Sequence, residues 1–349
     1  MSWLETFAFA CPVCRGSVEA IRVDAPNPGV TGFACQVCVR TYPVLLGIPD
    51  FRVAPDPWIG IEEDRAKGER LERDTAGATD LDTMVRAYWR MTPDTPPAQA
   101  ERFIAHVLGA PPRSRAWLDA VGVPLNAREQ WLDLGCGTAD IADAVGEETT
   151  VVGVDVAFRW LVVARRRLLL SGREPRLVCA NAEALPFPDA LFDRVVSLGT
   201  VEHVADAPRA LRACYRTMRP GASLHLRTVN RYSLLPEPHV GLWGVGWMPR
   251  AMAEWWVMAR TGGSYRHHHP LGSGALRRAL RAAAFERVAV RAAALLRTDR
   301  DRLLQSPLRL VAPLAVPLYA VACRVPVLSW VVRTVAPLLD AVAYRGSGR

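Results

Sequence analysis

Three observations predict an α/β fold built on a doubly wound, mostly parallel sheet. Trp131 to Leu134 and Val151 to Val154 are two apolar runs, one containing Asp133 and the other ending at Asp155. Gly135 and Gly137 follow the first run directly, as a tight strand-to-helix turn requires. Beyond them, apolar runs and helical patterns keep alternating as far as Arg291.

Taken in order, the predicted strands are Trp131 to Leu134, Val151 to Val154, Arg176 to Ala180, Arg194 to Leu198 and Ser223 to Thr228. Between them lie a helix from Phe158 to Leu170, stopped by Gly172, and another from Pro208 to Met218. A last helix, Ala275 to Ala284, leads to the alternating run Arg287 to Arg291, read as an antiparallel edge strand. Upstream, Leu81, Met84, Val85, Tyr88 and Trp89 recur at helical spacing, followed by helical patterns at Ala98 to Leu108 and Arg113 to Val121. Residues 54 to 80 are polar, charged and interrupted by Pro55, Pro57 and glycines, and read as a linker or a poorly ordered helix.

The first two strands also describe a binding site. In a Rossmann-like sheet a nucleoside lies across the carboxyl ends of such strands, the glycines expose bare backbone to it, and a carboxylate at Asp155 can accept both hydroxyls of a ribose. The words around the glycines narrow the choice. LDLGCGTAD (132–140) is followed by Asn181 to Asp189, Phe192 to Ser197, Val201 to Val204 and Met218 to Gly221. In that order and spacing they resemble the class I S-adenosylmethionine-dependent methyltransferases, in the branch that includes quinone and small-molecule enzymes.

That resemblance covers roughly residues 128 to 295 and implies fold and cofactor more strongly than substrate. It implies that Asp133 and the turn through Gly135 and Gly137 hold the methionine end, that Asp155 holds the ribose, and that Asn181, Ala182 and Glu183 border the adenine, with Ser197 on the cofactor side. Two positions depart from the family pattern: Ala139 replaces a glycine and Asn181 an aspartate. The alanine adds a methyl; the asparagine keeps an acceptor and loses a charge.

Eight cysteines divide into two groups. Cys11 and Cys14 form one CxxC, Cys35 and Cys38 another, and four thiolates so spaced can close a tetrahedron around a structural Zn2+. With Pro12, Gly16, Gly32 and Tyr42 to Asp50, this segment resembles the small zinc-ribbon proteins that activate methyltransferases, so a protein partner of the ribbon is implied. Cys136, Cys179, Cys214 and Cys323 stand singly in apolar settings and read as small core residues.

Methyl transfer to a hydroxyl needs a nucleophile in line with the donor and a group that removes a proton. Two histidines are candidates: His203, within Glu202-His203-Val204 after the fourth strand, and His239, near Glu237 in a Pro-, Gly- and Trp-rich insertion. The run His267 to His269 reads as a solvated loop, since adjacent residues point in different directions. Trp243, Trp247, Trp255 and Trp256 wall a substrate pocket or pack a lid helix, and Tyr88 either covers the cofactor or packs.

Length fits several parts: a zinc ribbon at 1–53, a linker and helical cap at 54–125, the methyltransferase domain at 126–300 with a lid near 230–270, and an apolar helical segment at 301–349. In that last segment Leu310 to Cys323 and Val325 to Val332 carry no charge, with Pro313, Pro317 and Pro326 inside. Prolines and an intervening Arg324 argue for core packing or contact with a membrane surface before a transmembrane span.

The net charge of +8 is almost wholly arginine, Lys67 being the single lysine. No basic run is interleaved with aromatics, which disfavours nucleic acid as a partner. The first residues, MSWLETFAFACPVC, show no secretion signal, and the expectation is a cytoplasmic protein with contact at the inner face of the membrane. The function expected is methyl transfer from S-adenosylmethionine to a hydroxyl or carbon of a small, lipophilic or glycosylated metabolite. The alternatives are a ribosomal RNA methyltransferase and a non-catalytic cofactor-binding scaffold with a partner site on the ribbon.

Overall fold

The computed structural model describes residues 3–23, 29–93, 95–125, 128–146, 149–296 and 312–347. The chain divides into two compact units, Met1–Arg115 with Leu125–Val195 and Arg216–Arg219, and Ala116–Pro124 with Val196–Tyr215 and Pro220–Arg349.

The first unit opens with a short helix α1 (Trp3–Thr6) and a four-stranded antiparallel sheet, β1 (Val18–Val23), β2 (Gly29–Cys35), β3 (Thr41–Leu45) and β4 (Ile48–Pro49), in sequential order. Register pairs Val18 with Cys35, Phe33 with Tyr42 and Val44 with Pro49. A sheet this small needs more than its own apolar surface to hold it. Part of that surface is an aromatic cluster, in which Phe9 lies 5.0 Å from Phe33 and 5.2 Å from Phe51, and Tyr42 lies 4.8 Å from Phe51, by ring centroid.

Four helices follow: α2 (Ile61–Asp74), α3 (Leu81–Arg90), α4 (Pro97–Leu108) and α5 (Ala110–Ala120), the last ending in the second unit. Helix α3 is the predicted one, capped at its start by the Asp80 carboxylate, which accepts from the Thr83 amide. Helix α2 lies in the stretch read as a linker or poorly ordered helix, and it is a packed element, with Asp64, Gly68 and Leu71 buried. Its inward face is a charge, a glycine and one leucine, so no apolar stripe marks it in the sequence. A Cβ at Gly68 would come within 2.7 Å of the Phe158 ring.

Parallel strands β5 (Gln130–Leu134), β6 (Thr150–Asp155) and β7 (Leu177–Cys179) come next, with helices α6 (Asp140–Ala144) and α7 (Phe158–Leu170) between them. With β8 (Phe192–Leu198), the order in this unit is β8-β5-β6-β7. Trp131, Leu132, Val152 and Val178 have no exposed surface, as expected of parallel strands covered on both faces. The cysteine-bearing sheet is joined to this one. Asp50 bridges Cys179 in parallel, the Phe51 amide donates to the Cys179 carbonyl at 2.8 Å, and the Ala10 amide donates to Pro186 at 3.0 Å.

A buried ionic network crosses the same joint. Asp50 accepts from Arg52 Nη2 at 2.6 Å and Arg65 Nε at 2.8 Å. Asp64 accepts from Arg52 Nη1 and Arg159 Nη1, both at 2.7 Å, and Arg159 also reaches Asp56 at 3.0 Å. Asp64 further accepts the Phe158 amide at 2.7 Å, and so caps α7 from another element.

The second unit contains most of α8 (Ala207–Thr217) and β9 (Met218–Val229), then α9 (Arg250–Thr261), α10 (Ser273–Ala282), β10 (Glu286–Ala292), α11 (Ala312–Ala322), α12 (Pro326–Val335) and β11 (Leu338–Tyr344). Its strand order is β10-β11-β9-β8. The predicted edge strand is β10, antiparallel to its neighbour β11, with Val290 opposite Ala341. The neighbour itself was not predicted: the last residues, read as part of an apolar helical segment, form β11, antiparallel to β9 with Asp340 opposite Arg227. Buried on both faces, LLDAVAY shows no alternation to separate it from the apolar run before it. Asp340 is buried and accepts from Arg227 Nε at 2.7 Å and Trp117 Nε1 at 3.1 Å.

Helices α11 and α12 are the predicted helical part of that segment, and they meet at a bend of 119°. Among the described residues no single helix is long and apolar enough to cross a membrane. Leu314, Leu318, Val327 and Trp330 point outward, exposed. The start of the uncharged run, Leu310 and Val311, and the expected boundaries at 125/126 and 300/301 fall at or within stretches outside the described residues.

Two predictions follow from the network. Asp64→Ala leaves the Arg52 and Arg159 guanidiniums buried without their shared carboxylate, and the expected cost is about 3–5 kcal/mol, read as a lower midpoint of urea unfolding. Asp50 is the pH-sensitive member. Burial pushes its carboxyl up, but hydrogen bonding and charge from Arg52, then Arg65, hold it below the ordinary aspartate range. A folded-state pKa below the unfolded one contributes stability that is complete above the unfolded value, about 4, and is lost as pH falls through the folded value. The gap in urea midpoint between wild type and Asp50→Asn is therefore expected to hold from pH 7 to 5 and to narrow below about pH 4.

Candidate cofactor cradle, cysteine knuckles and histidine cluster

In the first unit the turn after β5 adopts left-handed backbone three times, at Gly135 (φ 72°), Gly137 (φ 49°) and Ala139 (φ 58°). Glycine tolerates this; at Ala139 the Cβ makes it strained, by about 1–2 kcal/mol. Asp155 ties the turn to the end of β6: its two carboxylate oxygens accept the Gly137 and Ala157 amides, each at 2.9 Å. A Cβ built on Gly137 meets nothing within 4 Å, so there is open space over the turn. Within 4 Å of Gly153 on β6, by contrast, a Cβ would run into Cys136 Sγ at 2.8 Å.

The electrostatics of this turn are acidic. Asp133 is buried at 1% exposure, and its Oδ2 has no hydrogen-bond partner among the described residues. Burial, then the charges of Asp140 and Asp155, push its carboxyl well above the ordinary range. Burial likewise raises Asp155, against the two amides that lower it. At Asp133 no positive charge offsets these effects, and its acceptor capacity suits a ligand that brings its own positive charge, as a sulfonium and an ammonium do.

Asn181 stands at the head of a short 3₁₀ turn, Ala182–Ala184. Its carboxamide is committed within the protein: Oδ1 accepts from the Val53 and Ala54 amides at 2.9 and 3.1 Å, and Nδ2 donates to the Ala54 carbonyl at 3.2 Å. Ala182 and Glu183 follow it, half-buried. Tyr88 is a packing residue, buried with its ring 4.2 Å from Trp160 and its hydroxyl accepting from Arg159 at 3.4 Å.

The four early cysteines converge. Cys11 Sγ lies 3.5 Å from Cys38 Sγ, Cys14 Sγ lies 3.4 Å from Cys35 Sγ, and all four sulfurs are within 4.8 Å of one another. Around a tetrahedral zinc with bonds of about 2.3 Å, sulfurs are about 3.8 Å apart. The Gly16, Val37 and Cys38 amides each donate to a sulfur at 3.4 Å, so charge on the thiolates has donors in place. Burial and the neighbouring thiols push Cys38 up to about 12; at Cys11 burial is outweighed by the Tyr42 hydroxyl and nearby amides, and the thiol falls to about 6.

In the second unit, the side chains of His203, His239 and His268 come together, with ring centroids 4.7, 5.2 and 4.6 Å apart. His239 Nδ1 is held by the buried Glu237 carboxylate at 2.6 Å. The partner charge of Glu237 outweighs burial and raises His239. Burial first, then the neighbouring imidazoles, push His203 down to about 3 and His268 to about 4. Glu202, beside His203, is itself buried and accepts from Thr228 Oγ1 at 2.7 Å, which fixes this turn on β9. Ser197 is buried on β8 in the same unit.

The sequence named His203 and His239 and set aside the run His267 to His269. Adjacent side chains do diverge there: His268 turns into the cluster, while the His269 amide donates to the Glu202 carbonyl. Of the four tryptophans, Trp256 packs on a small core of Val245, Ala253, Val257 and Tyr265, whereas Trp243, Trp247 and Trp255 are exposed.

Residues 132–226 match the family model described as a methyltransferase domain. The chain is 32% identical over 167 residues to the ubiquinone biosynthesis O-methyltransferase of Idiomarina loihiensis, covering 46% of this chain and 62% of that protein. It is 38% identical over 108 residues to the Pseudomonas entomophila protein of the same name, covering 30% of this chain and 46% of the relative. It thus spans about half to two thirds of the length of these curated relatives. Among solved structures, Haemonchus contortus phosphoethanolamine N-methyltransferase 2 in complex with S-adenosylmethionine aligns over 80% of this chain and 60% of that one, at 17% identity and a TM-score of 0.48. The likeness to a methyltransferase domain thus falls on residues 132–226, which include the turn after β5 and the end of β6.

Proposed function

We propose that this protein transfers a methyl group from S-adenosylmethionine to a hydroxyl of a small lipophilic molecule. The observation that carries the reading is the acidic turn after β5, where Asp133 Oδ2 has no hydrogen-bond partner among the described residues, in a stretch of methyltransferase sequence. Asp133 and the left-handed turn through Gly135 and Gly137 would hold the methionine end. Asp155 would take the ribose hydroxyls, and Ala182 and Glu183 would complete the cofactor contacts. When bound, the sulfonium supplies an electrophilic methyl and leaves as a neutral sulfide. What remains for the protein is to position the acceptor, exclude water and deal with the hydroxyl proton.

Of the two predicted histidines, His239, raised by Glu237 against burial, is the better suited to the last task, since burial pushes His203 down to about 3. The names of the relatives favour oxygen as the accepting atom and a lipophilic molecule as its carrier. The exposed apolar residues of α11 and α12 support a membrane surface as the place where such a molecule is met, with Arg324 and Arg333 at hand for anionic headgroups. The four cysteines hold a structural zinc that closes the small sheet, and the exposed Val13, Ile21, Val37 and Val39 support a protein partner there.

Two measurements test this. Labelled methyl from S-adenosylmethionine is expected in the lipid-soluble fraction of a host extract, and Asp155→Ala is expected to cut transfer by roughly 10- to 100-fold, with its melting curve recorded to show that the variant is folded. Label confined to RNA, or insensitive to the substitution, overturns the reading. Second, one zinc is expected to be lost on Cys14→Ser with Cys35→Ser, together with a lower melting temperature. Purified protein whose thiols are reduced and whose zinc content the double substitution leaves unchanged overturns the ribbon assignment.

A further inference from the structure

We propose that His203, His239 and His268 form a second metal centre, distinct from the four cysteines, which binds a divalent transition metal through three imidazole nitrogens. Three observations point there. The first is spacing. A metal bonded to three imidazoles at about 2.0–2.1 Å in tetrahedral arrangement sets the ring centres about 5 Å apart, and the centroids here are 4.7, 5.2 and 4.6 Å apart. One nitrogen from each ring lies within 4.8 Å of the others, so small ring rotations bring all three to one ion. The second is orientation. Glu237 fixes Nδ1 of His239 at 2.6 Å, which leaves Nε2 to face a metal and reproduces the carboxylate–imidazole pairing that steadies metal-bound histidines.

The third is the way unrelated segments are locked to deliver the rings. The Glu202 carboxylate anchors the His203 turn to β9, the His269 amide bonds the Glu202 carbonyl beside it, and Tyr265 stacks flat on His268 at 5.1 Å and 5°. Glu237 further accepts the His239 and Val240 amides at 2.8 and 3.0 Å, so it shapes the loop as well as the ring. Three nitrogen donors with no carboxylate among them suit zinc or cobalt over magnesium or calcium. The His239 side chain is a quarter exposed, so the centre opens on one side, where a fourth ligand can enter.

An oxygen ligand is the chemistry this position would take. Resting on the methyltransferase reading above, that ligand is the acceptor hydroxyl. Bound to the metal, it releases its proton to water, the imidazoles acting as ligands in place of a base, and the metal is unchanged. Glu237 is then a positioning residue acting through His239.

Cobalt(II) added to zinc-stripped, reduced full-length protein tests the centre without reference to activity. Wild type is expected to bind one more equivalent than His268→Gln or His239→Gln, with the extra equivalent showing visible d–d bands and none of the sulfur charge-transfer absorption of the cysteine site. The double substitution Cys14→Ser with Cys35→Ser is expected to remove the charge-transfer absorption and leave the histidine-dependent equivalent. Glu237→Gln is expected to weaken that equivalent by roughly 10- to 100-fold without abolishing it. Equal cobalt stoichiometry in wild type and both histidine variants overturns the proposal, whether or not methyl transfer is observed. A histidine-dependent equivalent in a protein that transfers no methyl upholds the centre and removes the role given to it.

Discussion

The first unit depends on a carboxylate with no surface of its own. Asp64 lies inside α2, accepts from two arginines and caps a helix that belongs to a different part of the chain. Around it three aspartates, 50, 56 and 64, face three arginines, 52, 65 and 159, so the buried charges balance. Balance is the condition for keeping such a network, because each ion buried without a partner costs several kcal/mol in desolvation alone, on the order of the whole stability of a domain. Arg52 also donates to the Val156 carbonyl at 3.1 Å, one residue beyond Asp155. The geometry of the proposed ribose carboxylate is therefore set partly by residues that lie more than a hundred positions earlier in the chain.

The turn after β5 is the opposite case, and the contrast separates structure from site. Asp133 is as buried as Asp64, but the groups that shift it are desolvation and two further carboxylates, and all three act in the same direction. A fold gains nothing from that arrangement. Such a carboxyl is stable only if a cationic group completes it or if the proton stays on. Strain at Ala139 falls in the same turn, where functional backbones commonly store it.

How much of this was legible follows from what each element owes to local sequence. The parallel strands and α7 were, because strands buried on both faces are continuous apolar runs and α7 ends at a glycine. So were the cysteine knuckles, whose spacing is itself the chemistry. Helix α2 was blurred and β11 was lost because their inward faces are decided by tertiary partners: the buried charge of α2 by arginines elsewhere, and Asp340 by Arg227 and Trp117. His268 was passed over for a sound local reason, that three neighbours cannot share one ligand. The rule held, and one of the three still reached the cluster, which only the approach of the 203 and 239 loops could reveal.

Asn181 shows where reading a departure from a family pattern in isolation misleads. Taken alone, asparagine for aspartate looks like a weakened adenine contact. In the fold it is the group that reads the backbone just beyond the cysteine-bearing sheet, accepting two amides and donating to one carbonyl. Aspartate could accept both amides, but it would set a carboxylate against the Ala54 carbonyl and lose the third bond. Of the two side chains, only the carboxamide has both a donor and an acceptor at its tip. The substitution is thus what a methyltransferase sheet requires once an N-terminal segment is laid along the end of its β7 edge, where Asp50 and Phe51 already pair with Cys179. The same joint that brings in the cysteines has thus committed the side chain that the resemblance set at the adenine.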